Sequence, residues 1–400
     1  MDNCGKLLEG IRVIDLSRFV SGPYCTQLMG DMGADVIKIE HPVTGDGTRR
    51  WGMKGLGMDN PYFLSVNRSK RSVAVDIKNK QGRDVIEALV MKSDVVITNA
   101  KYGSLESAGL GYERLRAGNP GLVFCEITGF GSHGPYRDRP AFDFPTQAQS
   151  GLMSVIGEPD GAPMKIGVPM IDIMTAMQAF AGIQAALVHR ARTGKGAKIS
   201  TSLLETALAS MTNVVSDYIN EGVVPERWGN GHPNLAPYAA YRASDGWITV
   251  GVATEGQWKK FCDVIGRPDV ADDPRFATNQ ARLAHRRELD EVIAPNVLSK
   301  TKQGCLEELQ NQGVPCAPLN TVPEIIADPH VREIGMVAEL PHPTLGRVKM
   351  IRSAISVEDQ PLEITLRPPM LGEHTEEVLR DLLHLGEAEI AALREAKAIR

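Results

Sequence analysis

The sequence predicts an α/β fold: a large Rossmann-like domain built on a parallel sheet, plus a smaller α+β domain. Short apolar runs rich in β-branched residues alternate with helix-like segments through the first half. That alternation is the pattern of βαβ units and a parallel sheet covered on both faces. The chain then changes character, as a loop rich in Gly, Asn and Pro gives way to a hairpin signal and further helices.

Taken in order, IRVIDLS reads as a buried strand, GPYCTQLMGDMGA as a helix and DVIKIE as the next strand. SVAVDIK leads through the helical QGRDVIEALVMKS to DVVITN, and GLGYERLRAGNP precedes GLVFCEITGFG. Right-handed crossovers place helices on both faces of such a sheet. A helix follows Asp172 up to about Arg192, with Gly194 and Gly196 marking its end. Later, PYAAYRAS and WITVGVA flank Asp245-Gly246, a hairpin turn pair. Helical patterns follow in ARLAHRRELDEVIAPNVLS and GCLEELQNQG, then the β-rich VAELPHPTLGRVKMIRSAISV, then the amphipathic TEEVLRDLLHLGEAEIAALREA. The expected organisation is a large domain over 1–210, a small domain over 225–330, and a segment over 340–400 that returns to the large domain.

The 400 residues suffice for more than one domain, and 42% hydrophobic with 23% charged residues is ordinary for a soluble globular protein. A net charge of −5 gives no basic footprint, so no nucleic-acid partner is expected. MDNCGKLLEGIRVID lacks the basic start and apolar core of a signal peptide. No stretch approaches the roughly 20 apolar residues of a membrane span, so no membrane partner and a cytoplasmic location are expected. The six cysteines, Cys4, Cys25, Cys125, Cys262, Cys305 and Cys316, form no CxxC pair and read as free thiols. The histidines show no ligand spacing, so no metal is expected. GxxxxGK[ST] and GxSxG are both absent.

Four features could carry chemistry. Asp172, in GVPMIDIMTAM, stands alone among apolar residues at a helix start. Locally it reads first as a helix cap, yet a fixed, partly desolvated carboxylate also suits covalent catalysis. In NRSKRS, Arg68, Lys70 and Arg71 read as a solvated charge run or a phosphate site. ITGFGSHGPYRDRPAFDF, with Gly129, Gly131 and Gly134 before Phe142 and Asp143, reads as a turn-rich connection or a loop approaching a ligand. GNGHPN, from Gly229 through Asn230 and Gly231 to Asn234, reads as a linker or a covering loop that offers backbone N–H groups.

Taken together, these segments resemble the class III CoA-transferase family, of the formyl-CoA transferase type. The resemblance runs in order through GIRVIDLSRFVSGPYCTQLMGDMGADVIKIE, NRSKRSVAVDIK and GLGYERLRAGNPGLVFCEITGFGSHGPYRDRPAFD. It continues through IGVPMIDIMTAMQAFAGIQAALVHRARTGKGAKISTSLLETAL, GNGHPNLAPYAAYRASDGW, DDPRFATNQAR, GVPCAPLNTVPEI and PPMLGEHTEEVL.

The resemblance implies a homodimer of two subunits threaded through each other as interlocked rings, with no prosthetic group. It implies acyl-CoA and a small carboxylic acid as substrates, and Asp172 as nucleophile. CoA contacts are implied at Lys70, Arg71, Asn99 and Phe142, with support from Asp143, Gly229, Asn230 and Gly231. The sequence departs from the family at Ala100-Lys101, where Phe-Arg is usual, and at His41, where formyl-CoA transferase carries an arginine. The implied reaction moves CoA from a donor such as succinyl-CoA or formyl-CoA to an acid, most often a dicarboxylate. Arg18, Lys101, Arg137 and Arg139 are candidate cations for its second carboxylate. Two rivals share the superfamily resemblance: an α-methylacyl-CoA racemase and a catalytically silent CoA-binding protein. Racemases carry His where Phe142 stands, while Glu255 sits near their acidic position.

Overall fold

The computed structural model describes residues 6–52 and 59–400; Cys4 lies outside the described residues. The chain forms two compact units. One holds the residues up to Leu152, Lys165–Glu221 and Arg332–Arg400; the other holds Met153–Met164 and Gly222–Val331.

The larger unit is built on a six-stranded sheet in the order β3-β2-β1-β4-β5-β6. Its strands are β1 (Arg12–Asp15), β2 (Asp35–Glu40), β3 (Arg71–Ala74), β4 (Val95–Thr98), β5 (Val123–Thr128) and β6 (Lys198–Ser202). All neighbours pair in parallel. The order reverses between β1 and β4, and such a switch point opens a crevice at the carboxyl edge of the sheet. Successive residues of a strand face opposite ways. Ile14, Ile37, Val73 and Val96 therefore pack with the helix Lys80–Val90, while Val13, Val36, Val95 and Ile97 pack with the helix Met170–Thr193.

Ala176, Ala179, Ile183, Ala186 and Leu187 form the buried stripe of Met170–Thr193, at helical spacing. Gly194, at φ +72°, ends that helix as the sequence predicts. This helix also corrects an expectation, because it is long and apolar enough to cross a membrane by length and composition. Thr175, Gln178, Gln184 and His189 interrupt its apolar run without adding Asp, Glu, Lys or Arg between Asp172 and Arg190, which hid the length of the segment. Here it packs against the helix Ser21–Asp31 and strands β5 and β6.

The smaller unit carries an antiparallel sheet of β7 (Tyr238–Ala243), β8 (Gly246–Gly251) and β9 (Cys316–Pro318). Ala243 pairs with Gly246 across the Asp245-Gly246 turn, giving the expected hairpin. Trp258, Phe261, Ile293 and Leu309 fill its core.

Candidate active site

The crevice rests on a buried charge network at the carboxyl ends of β1 and β2. Asp15, the last residue of β1, accepts hydrogen bonds from Ser17 N at 2.9 Å, Thr26 Oγ1 at 2.6 Å and Lys70 Nζ at 3.1 Å. Lys38 Nζ donates to Ser17 O at 2.9 Å and pairs with Asp46 at 2.9 Å. Arg49 pairs with Glu40 at 2.7 Å. Burial pushes the Asp15 carboxyl up, but Lys70, Lys38 and the two hydroxyls outweigh it and bring the pKa to about 2.

This network fixes the loop leaving β1. Phe19 sits at φ +67°, a conformation that costs a non-glycine residue energy, and its N–H points at the Asp46 carboxylate. A Cβ on Gly22 would lie 2.1 Å from Ser17 Cβ, so only glycine lets the next helix start this close to β1. Asn99, just beyond β4, accepts from Arg18 N at 2.8 Å and donates to Arg18 O at 2.6 Å. Its carboxamide thus clamps the same loop and reaches Ser21 Oγ at 3.3 Å.

Ser21 in turn hydrogen-bonds to Asp172, which is the third residue of its helix. Asp172 is therefore not the cap. Asp143, from the helix Asp143–Gln149, takes that role: its Oδ2 accepts from Ile171 N at 2.8 Å and Asp172 N at 3.1 Å. Gln147 Nε2 holds the other Asp143 oxygen at 2.6 Å. Burial, then the Asp143 charge, raises the Asp172 carboxyl to about 7, against a lowering contribution from Ser21. Among the described residues no cation pairs with it.

An aromatic wall borders the pair. Phe19 stacks on Trp51 with ring centres 5.0 Å apart and meets Phe142 edge-on at 5.5 Å; Trp51 meets Tyr62 at 5.4 Å. Burial, then the charges of Asp172 and Asp143, raises the Tyr62 phenol pKa. Trp51 and Phe142 remain about half exposed, as a surface awaiting a ligand would be. Sequence reasoning named Phe142 but missed Phe19, Ser21, Trp51 and Tyr62, which come from separate segments with no shared spacing.

The structure differs from expectation at Lys70 and Arg71. Lys70 is an interior residue whose ammonium also donates to Pro23 O at 2.8 Å and Asn67 Oδ1 at 2.9 Å. Arg71 opens β3, so it stands at the amino end of that strand, where Asp35 and Glu377 hold its guanidinium. Neither offers a free group to a phosphate at the carboxyl edge. Arg68 is likewise taken, by Asp31.

Gly229, Asn230 and Gly231 belong to the smaller unit. Gly229, at φ +56°, donates to Gly157 O at 2.9 Å, and Gly231 N donates to Trp228 O at 2.7 Å. Arg286 fastens the adjoining turn by donating to His232 O at 2.7 Å. Glu255 pairs with Arg282 at 2.7 Å and accepts from Asn279 N at 2.9 Å. Those contacts outweigh burial and lower its pKa, the opposite of what a general base needs. The cysteines Cys25, Cys125, Cys262, Cys305 and Cys316 are free thiols.

A Rossmann-ordered parallel sheet with the Asp172 and Asp143 carboxylates beside its carboxyl edge defines the class, an α/β protein with an acidic crevice. The chain belongs to CoA-transferase family III, whose family model matches residues 8–375. It is 40% identical over 388 residues to succinate–glutarate CoA-transferase of Agrobacterium fabrum, covering 96% of this chain and 97% of that one. It is 35% identical over 394 residues to succinyl-CoA:glutarate CoA-transferase of Homo sapiens, covering 98% of this chain and 90% of that one. Among solved structures, a CAIB/BAIF family protein from Brucella suis superposes with a TM-score of 0.84 at 39% identity, covering 94% of this chain and all of that one.

Proposed function

We propose that this enzyme transfers CoA from succinyl-CoA or a similar donor to a dicarboxylic acid, with Asp172 as nucleophile. One observation carries the reading: Asp172 is fixed at a helix start and desolvated, and among the described residues no cation pairs with it. A carboxylate in that state is a stronger base and nucleophile than one in water. Relatives named as succinyl-CoA transferases acting on glutarate support the substrate pair.

The steps follow from acyl-transfer chemistry. The Asp172 carboxylate attacks the donor thioester, the C–S bond breaks, and CoA thiolate leaves a mixed anhydride. The thiolate attacks the aspartyl carbonyl, giving an aspartyl-CoA thioester and releasing the donor acid. The acceptor carboxylate displaces the thiolate to form a second anhydride. Attack of the thiolate on the acceptor acyl carbon yields the new acyl-CoA and restores Asp172. Water would hydrolyse either anhydride, and the apolar faces of Phe19, Trp51 and Phe142 suit its exclusion.

Arg18 is the candidate cation for the acceptor's second carboxylate, since its guanidinium lies 5.8 Å from the centre of the Phe19 ring in that wall. Arg137 pairs instead with Asp138, and Arg139 covers Tyr136. A homodimer is part of the proposal, because Val188, Leu208, Tyr218 and Ile219 leave apolar surface uncovered on the large unit. A cytoplasmic location, with no membrane or nucleic-acid partner, completes it.

The test is incubation with succinyl-CoA and a panel of dicarboxylates, reading new acyl-CoA by mass spectrometry. Asp172→Ala should cut transfer by at least about four orders of magnitude, the scale of losing an attacking group. Deuterium entering Cα of a 2-methylacyl-CoA without CoA exchange would favour the racemase instead. Phe142 and the Arg282-bound Glu255 argue against that outcome.

A further inference from the structure

A second cleft, of about 590 Å³, lies at the carboxyl ends of β2 and β3 in the same unit. Its walls include His41, Asp76, Leu371, Lys397, Ile399 and Arg400. The last three come from the end of the chain, which is pinned beside β3. Ile399 bridges Val75 in antiparallel fashion, Asp76 N donates to Ala398 O at 2.8 Å, and Arg400 N donates to Ala74 O at 3.2 Å. Asn79 Nδ2 adds a bond to Ala396 O at 2.7 Å.

The chemistry of the cleft is specific. Leu371 and the buried Ile399 offer apolar surface for a flat base. His41 Nδ1 faces the N–H groups of Val43 and Thr44, each at 3.2 Å, which leaves the proton on Nε2 as an outward donor. Arg394 is taken by Glu376 and Arg400 O. Among the described residues, the Lys397 and Arg400 side chains have no ion-pair or hydrogen-bond partner. Lys397 is held at φ +55° by the turn that starts the tail. Two free cations, Lys397 and Arg400, thus line the cleft with Asp76 and the α-carboxylate of Arg400, over an apolar floor.

The cleft and Asp172 share one edge of the sheet, since Ser21, which contacts Asp172, follows β1, the neighbour of β2. A ligand occupying both must be long, with a phosphorylated nucleotide at one end and a thioester at the other. We propose that Lys397, with Arg400 beside it, binds the 3′-phosphate of CoA, making the carboxyl-terminal tail the element that selects CoA over its dephosphorylated form. The assignment rests on the CoA-transferase reading and supplies the phosphate-binding charge that Lys70 and Arg71 do not.

Isothermal titration of the full-length enzyme with CoA and with 3′-dephospho-CoA tests it. Wild type should prefer CoA by about tenfold or more, the scale of one charge-assisted hydrogen bond, and less so at high salt. Lys397→Ala should remove most of the preference, and Lys397→Ala with Arg400→Ala the rest. Equal affinity of wild type for both ligands, or an undiminished preference in the double variant, overturns the assignment while leaving CoA transfer from succinyl-CoA intact. Absence of both CoA binding and CoA exchange overturns the transferase reading with it.

Discussion

Asp15 and Asp172 both stand at the carboxyl edge of one sheet, and burial is the largest influence on each. Around Asp15, two lysines and two hydroxyls answer the buried charge, and the carboxyl falls to about 2. Around Asp172, among the described residues, the charge that acts is another carboxylate, Ser21 alone opposes the rise, and the carboxyl climbs to about 7. The same side chain therefore becomes a girder in one place and, in the proposed mechanism, a reagent in the other. Neighbour sign decides which, because depth alone pushes both the same way. The paired region also holds the unpaired one in place: Asp15 braces the β1 exit loop, and that loop delivers Ser21 to Asp172.

Substitutions can break each side of this contrast. Lys70→Met should cost about 3–5 kcal/mol in urea unfolding, because it leaves Asp15 buried with its closest cation gone. The kcat per folded molecule should change little; a stable but inactive variant would put Lys70 in the chemistry after all. In wild type, the Asp15 contribution is present above its ordinary pKa of 3.8 and is lost as pH falls toward 2.

The sign reverses at Asp172. Its folded pKa is raised, so the native state holds that proton between 3.8 and about 7, and stability falls as pH rises through the window. Asp172→Asn should be more stable than wild type by about 4 kcal/mol near pH 8, with the difference nearly vanishing near pH 4. A pH-independent gain would mean that packing, rather than charge, was relieved. The smallest effect is expected from Asp143→Asn. An asparagine keeps the helix cap while removing the negative neighbour, so the acid limb of the rate profile should move down by about one pH unit. An unmoved limb would assign the raised pKa to burial alone.

Much of the fold could be read in advance. Runs such as DVIKIE and DVVITN became strands because their apolar residues serve both faces of the sheet. Asp245-Gly246 turned the hairpin, and Gly194 stopped the long helix. The site was legible in part. Asp172 and Asp143 stood out as acids among apolar neighbours, but their relation did not, since the cap crosses 28 residues of chain. Lys70 looked like surface charge because its partner, Asp15, lies 55 residues earlier. Phe19, Trp51 and Tyr62 meet only after folding. Nor did any local signal show that Met153–Met164 joins the smaller unit.

The pinned carboxyl-terminal tail has a consequence apart from nucleotide selection. β3 is an outer strand of the sheet, and its unoccupied backbone groups would form a template for stray strands from other molecules. By pairing Ile399 with Val75 and Arg400 with Ala74, the tail blunts that edge. Trimming the last few residues would therefore leave the enzyme prone to aggregation, whatever became of its catalysis.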